Sequence, residues 1–237
     1  MAAPKIELLS KKLTKPSSST PDHLRTYKLS FLDQLQCLKY LPTTLFYENN
    51  SSNNANQPSS FEYIEQALAD VLSFYYPYAG TLADNVSIDC NDMGVMFTEV
   101  RIQCSIFEFL KQPCPLDQNL LYCNEYLPWK DHGKEECLAA AQLSHFECGG
   151  KSISFCQTHK VGDATTLCHF LNGWAAMASP TSGVGGVDPL SAPPPLTGAS
   201  LMPPDEDQVA SDSYDRGIEP GIVSRRFRLV LNITGLN

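Results

Sequence analysis

What this 237-residue chain lacks removes several classes of function. It has no run of about twenty apolar residues, the length a helix needs to cross a bilayer. The opening Met1-Ala-Ala-Pro-Lys-Ile-Glu-Leu-Leu-Ser-Lys-Lys has neither a continuous apolar stretch nor a small-residue cleavage site, so it does not read as a secretory signal. Basic residues are few: 17 Lys and Arg stand against 26 Asp and Glu, a net charge of -9. Nucleic-acid binding needs clustered cations that this chain does not have, although a few local Lys or Arg could still hold an anionic co-substrate. There is no G-x-S-x-G elbow and therefore no sign of a serine acyl-enzyme. Cysteine is plentiful at nine, but the count is odd and no C-x-x-C occurs; the thiols read as reduced and the chain as cytoplasmic.

What is present reads as an α/β chain. Residues 5–13 and Leu45-Phe46-Tyr47 are expected as strands, the latter in the core. Phe61 to Phe74 has Ile64, Leu68, Val71 and Leu72 at helical spacing behind a capping Ser60, and Pro77 and Gly80 are expected to end it, the glycine through a positive φ. Val86–Cys90 and Val95–Val100 flank Asn91-Asp-Met-Gly94 and read as a hairpin. Leu138–Cys148 is a strand that turns at Gly149-Gly150 into a second, Ser152–Thr158. The polar stretch from Asn49 to Ser60, and residues 179–221, rich in Pro and Gly without periodicity, are expected to make few long-range contacts. The domain reading is residues 1–178 as one unit, 179–221 as linker or surface loop, and 222–237 as a strand leading out.

The chemistry concentrates at His159-Lys160-Val161-Gly162-Asp163. Strand parity puts Ile153, Phe155, Gln157 and His159 on one face. Asp163 stands where a helix begins, with Leu167, Phe170, Leu171, Trp174 and Met177 recurring behind it. An imidazole at a strand end can accept a proton near neutral pH, so His159 is the candidate general base. Asp163 is better placed to cap the helix than to orient the imidazole in a relay. A zinc set of Cys148, Cys156, His159 and Cys168 fails on spacing, because no close Cys pair forms a knuckle and alternation separates Cys156 from His159. His145 and His169 read as packing residues.

An H-x-x-x-D pattern alone is weak, but it does not stand alone. Ile6-Glu7-Leu8-Leu9-Ser10-Lys11-Lys12-Leu13, Lys15-Pro16-Ser17, Leu29-Ser30-Phe31-Leu32-Asp33-Gln34, Phe74-Tyr75-Tyr76-Pro77-Tyr78-Ala79-Gly80, His159 to Asp163 and Phe170-Leu-Asn-Gly-Trp174 follow in an order that resembles the BAHD family of plant acyl-CoA-dependent acyltransferases, and within it the vinorine synthase-like alkaloid O-acetyltransferases. The resemblance implies the N-terminal domain of the chloramphenicol acetyltransferase-like fold, a mixed, mostly antiparallel sheet flanked by helices. It also implies His159 as base, with Gly162 and Asp163 as structural parts of the motif and Asp163 paired with an arginine. No permanently bound cofactor or metal is implied; acyl-CoA, in this branch acetyl-CoA, is the implied co-substrate, an alcohol the acceptor, and a monomer the assembly. The family's Asp-Phe-Gly-Trp-Gly motif occurs nowhere here, and family members are about twice this length, so the chain reads as an N-terminal half that could be inert, self-associating or a partner of a full-length homologue.

Overall fold

A computed structural model describes residues 4–36, 38–49, 63–111, 119–122, 136–178 and 196–208. Its centre is a five-stranded mixed sheet in the order β1-β6-β7-β8-β3, formed by β1 (Ile6–Thr14), β3 (Tyr40–Tyr47), β6 (Val95–Ile102), β7 (Ala139–Phe146) and β8 (Lys151–Thr158). Only β6 and β7 run parallel; the other three pairs are antiparallel. A smaller antiparallel sheet joins β2 (Thr26–Lys28), β5 (Ser87–Asp89) and β4 (Thr81–Leu82). The mixed, mostly antiparallel architecture is the one expected.

Helices α2 (Ile64–Leu72) and α4 (Ala164–Ala178) share the main core with the inward residues of the large sheet, Phe97, Ala141, Leu143 and Phe155. Aromatic rings dominate this core. Phe170 stacks on Tyr78 with centroids 4.7 Å apart and meets Tyr75 edge-on at 5.3 Å. The Trp174 indole N–H, which burial would otherwise strand, donates to the Ile64 carbonyl at 2.7 Å and so ties α4 to the start of α2. A second core containing Val100, Ile102, Phe109 and Phe146 is built with α3 (Ile106–Lys111) from residues of the alternate strand parity. Ser105 and Glu108 cap α3: the Ser105 hydroxyl accepts from the Glu108 N–H, and the Glu108 carboxylate accepts from the Ser105 N–H.

Several sequence expectations are corrected. Residues 86–100 form no hairpin: β5 lies in the small sheet and β6 in the large one, and the connection, with Asp92 at φ 57°, carries the chain between them. Helix α2 stops at Leu72, and Pro77 sits inside a separate 3-10 turn, Tyr76–Ala79. Gly80 has φ -95°, so its need is for space: a Cβ there would lie 2.5 Å from the Asp89 carbonyl oxygen. Strand β3 is a sheet edge with Leu45 and Tyr47 partly exposed, and not a core strand. The β7–β8 turn is Glu147-Cys148-Gly149, closed by Phe146 N–H to Gly150 O at 2.9 Å, with only Gly149 at positive φ (79°).

Within the stretch expected to have few long-range contacts, residues 196–208 are docked. Helix α5 (Gly198–Leu201) and the residues after it lie against α1 (Phe31–Gln34), where the Phe31 N–H donates to the Met202 carbonyl at 2.9 Å. The Ser60 cap, the 50–60 loop and the strand expected over 222–237 lie outside the described residues. No helix among the described residues is long and apolar enough to cross a membrane.

Candidate active site

Strand β8 alternates between two environments, and that alternation sets up the site. Ser152, Ser154 and Cys156 share one parity; Ile153 and Phe155 have the other and pack in the main core beneath α4, with Gln157 continuing their row. Gln157 is a polar residue in an apolar row and is almost fully buried at 1% exposure. It is satisfied on both sides: its Oε1 accepts from the Tyr78 hydroxyl at 2.8 Å, and its Nε2 donates to the Gly162 carbonyl at 2.8 Å. Burial pushes the Tyr78 hydroxyl far above its ordinary pKa, which keeps it a donor.

His159 follows the last residue of β8. The chain turns at once, with the Val161 N–H donating to the Thr158 carbonyl at 3.2 Å. The His159 side chain is partly exposed, but its Nδ1 is shielded from solvent and has no hydrogen-bond partner among the described residues. Its exposure therefore comes from its other atoms. Lys160 is buried and points elsewhere, its Nζ donating to the Gln34 carbonyl at 2.9 Å and to Asn85 Oδ1 at 2.8 Å. The turn carrying His159 is thus held from two directions, by Gln157 through Gly162 and by α1 through Lys160.

Gly162 is present for close approach. A Cβ there would meet Thr166 Cγ2 at 2.8 Å and the Tyr78 hydroxyl at 3.1 Å. Asp163 is the helix cap the sequence suggested: its Oδ1 accepts from the Thr166 N–H at 2.8 Å and from the Thr166 hydroxyl at 2.9 Å, while its carbonyl accepts from Leu167 N–H at 2.9 Å. The Thr166 backbone bond, the Thr166 hydroxyl and, less strongly, the nearby His159 hold its carboxyl below the usual carboxylate range. Among the described residues no arginine pairs with it; Arg25 bonds Asp92 and Arg101 bonds Glu7.

The remaining candidates scatter. His169 and Cys168 are exposed on α4, Cys148 is exposed in the β7–β8 turn, and Cys156 is buried beside Tyr40 and Ala140. His145 Nε2 lies 2.6 Å from Glu99 Oε1, a partner supplied by the neighbouring strand and invisible as a spacing along the chain. An apolar cavity of about 210 Å³, lined by Leu45, Tyr47, Ile64, Ile153, Leu171 and Trp174, opens at the other end of β8. At about 3.3 Å per residue it lies on the order of 20 Å from His159 and is no part of that site. Sequence reasoning missed Lys160 and Gln34 as parts of the site; the one available signal was a lysine directly beside the candidate base.

This fold and this turn define a class. The family model described as "Transferase family" matches residues 4–223, and the chain belongs to that family, the BAHD acyltransferases. It is similar to stemmadenine O-acetyltransferase of Catharanthus roseus, 40% identical over 181 residues, which cover 73% of this chain and 42% of that protein. Among solved structures, vinorine synthase superposes with a TM-score of 0.66 at 34% identity over 86% of this chain and 48% of that one. F. graminearum TRI101, solved with coenzyme A and deoxynivalenol, has a TM-score of 0.51 at 14% identity over 65% of this chain and 38% of that one, which shows a shared fold. The chain thus spans about half the length, or less, of the relatives it matches.

Proposed function

We propose that this chain carries the base-bearing half of an acyl-CoA-dependent O-acyltransferase that moves an acyl group, acetyl first among candidates, onto a hydroxyl of a plant specialised metabolite such as an alkaloid. The observation that carries the reading is the placement of His159: it follows β8 directly on a turn held from both sides, while Asp163 is engaged as a helix cap and leaves the imidazole to act alone. In the reaction His159 takes the proton of the acceptor hydroxyl as its oxygen attacks the thioester carbonyl. The tetrahedral intermediate collapses, the C–S bond breaks, and the imidazolium returns the proton to the departing thiolate. The products are an ester and free coenzyme A, with no acyl-enzyme between. The enzyme acts in the cytoplasm as a monomer, with acyl-CoA and the alcohol as its small-molecule partners and no resident cofactor.

Names of relatives support acetyl transfer and an alkaloid acceptor; they belong to proteins about twice as long. That difference, with the lack of an Asp-Phe-Gly-Trp-Gly segment in these 237 residues, favours a second reading in which the chain by itself is a non-catalytic fragment or a partner of a full-length homologue. One assay separates the two. Thiol release from acetyl-CoA is followed with a panel of alcohols, for the chain alone and for a form extended with a family-type second half. The first reading expects turnover in the extended form that falls by about 10² to 10⁴ in His159→Ala. Equal turnover in His159→Ala would overturn the base assignment, and robust turnover by the 237 residues alone would overturn the fragment reading.

A further inference from the structure

Lys160 and Gln34 lie 126 residues apart and meet behind the His159 turn. Gln34 is buried, at 1% exposure, in the short helix α1, and it bonds in two directions. Its side chain pairs with the backbone of Asp205 in both senses: Nε2 donates to the Asp205 carbonyl at 2.9 Å, and Oε1 accepts from the Asp205 N–H at 2.9 Å. Its own carbonyl accepts from Lys160 Nζ at 2.9 Å. Asn85, in the loop between β4 and β5, supplies another acceptor for the same Nζ at 2.8 Å. The 196–208 segment, α1 and the β4–β5 loop are therefore fastened to the residue next to His159 by one buried and three part-buried hydrogen bonds, and losing the buried one would strand a desolvated group.

We propose that Lys160 is a positioning residue for His159 and that Gln34 couples it to the docked 196–208 segment. The proposal rests on His159 being the base. The Lys160 Nζ is engaged by Gln34 and Asn85, and it is assigned no contact with substrate. Its effect is to fix the backbone from which the imidazole projects, and through Gln34 the docking of 196–208 helps decide where that backbone sits. Positioning of this kind matters because a misplacement of about 1 Å can cost roughly 10²-fold in rate.

The test needs no turnover, so its outcome is separable from that of the assay above. The five histidines of the 237-residue chain are labelled with ¹³C and ¹⁵N, and the His159 ring resonance is assigned by its loss in His159→Ala. In Lys160→Met and in Gln34→Met, the His159 Cε1–Hε1 resonance is expected to move while that of His145, which pairs with Glu99 at the far end of the sheet, stays in place. Each variant is checked for a cooperative thermal transition. If Lys160→Met does not fold, Asn85→Ala, which removes an Nζ acceptor, takes its place under the same criterion. A His159 resonance unchanged in the folded Lys160 or Asn85 variant would overturn the positioning role. One unchanged in Gln34→Met would overturn the coupling to 196–208.

Discussion

The two ends of β8 use the same strand and the same alternation to different ends. At the Ile153 end, mainly apolar side chains line a cavity of about 210 Å³, and the directional bond described there is that of the Trp174 N–H to the Ile64 carbonyl. At the Gln157 end, a buried amide, a phenol, a carbonyl and a lysine each find a partner, and His159 emerges from among them. Apolar packing is tolerant: side chains of similar volume exchange with modest loss. Buried hydrogen bonds are intolerant, because a lost partner strands a desolvated group. The position of the imidazole is thus specified by the intolerant end, and the tolerant end is free to vary.

Breaking the polar end should have the largest effect. Gln157→Leu keeps volume but strands the Tyr78 hydroxyl and the Gly162 carbonyl, at about 1–3 kcal/mol for each group left unpaired. Urea unfolding of the 237-residue chain measures it, and a loss within error of zero would show that the two groups find other partners. A smaller loss, about 1 kcal/mol, is expected for Asp163→Ala, which removes the cap on α4. This loss should depend on pH. The folded carboxyl is held below the ordinary value of about 3.9, so its contribution is present above that value and disappears as pH falls through the lower folded value. The wild-type and Asp163→Ala melting temperatures should therefore converge below about pH 4, and a constant gap down to the acid transition would count against the cap. The smallest effect belongs to the tolerant end: Ile153→Val, beside existing empty space, should cost about 0.5 kcal/mol by the same urea titration. A loss as large as that of Gln157→Leu would erase the contrast between the ends.

Legibility in the sequence follows the same division. Strand β8, helix α4, the place of His159 after the strand and the capping by Asp163 could be read because they depend on neighbours within a few residues: a period of two, a period near 3.6, a cap three residues from its donor. The supposed hairpin at 86–100 failed because Asn91-Asp-Met-Gly94 has the composition of a tight turn, and only tertiary pairing reveals that β5 and β6 join different sheets. The Glu99–His145 contact crosses between parallel strands, and Gln34–Lys160 joins residues brought together only by the finished fold. A docked 196–208 was hidden for another reason: its anchors are mainly backbone groups, which leave no side-chain pattern.

The place of β8 in the sheet also has a consequence for how the chain reaches this state. On one side it pairs with β7 through a three-residue turn, a contact that costs little loop-closure entropy. On its other side it pairs with β3, where Thr44 and Ser154, 110 residues apart, share a hydrogen bond at 2.9 Å. Non-local pairings of this kind slow folding, because a long loop must close before the contact offsets it. The strand that leads into His159 can therefore form early as half of a hairpin, whereas the acceptors Gln34 and Asn85 that hold Lys160 come from much earlier in the chain and arrive with the slow step.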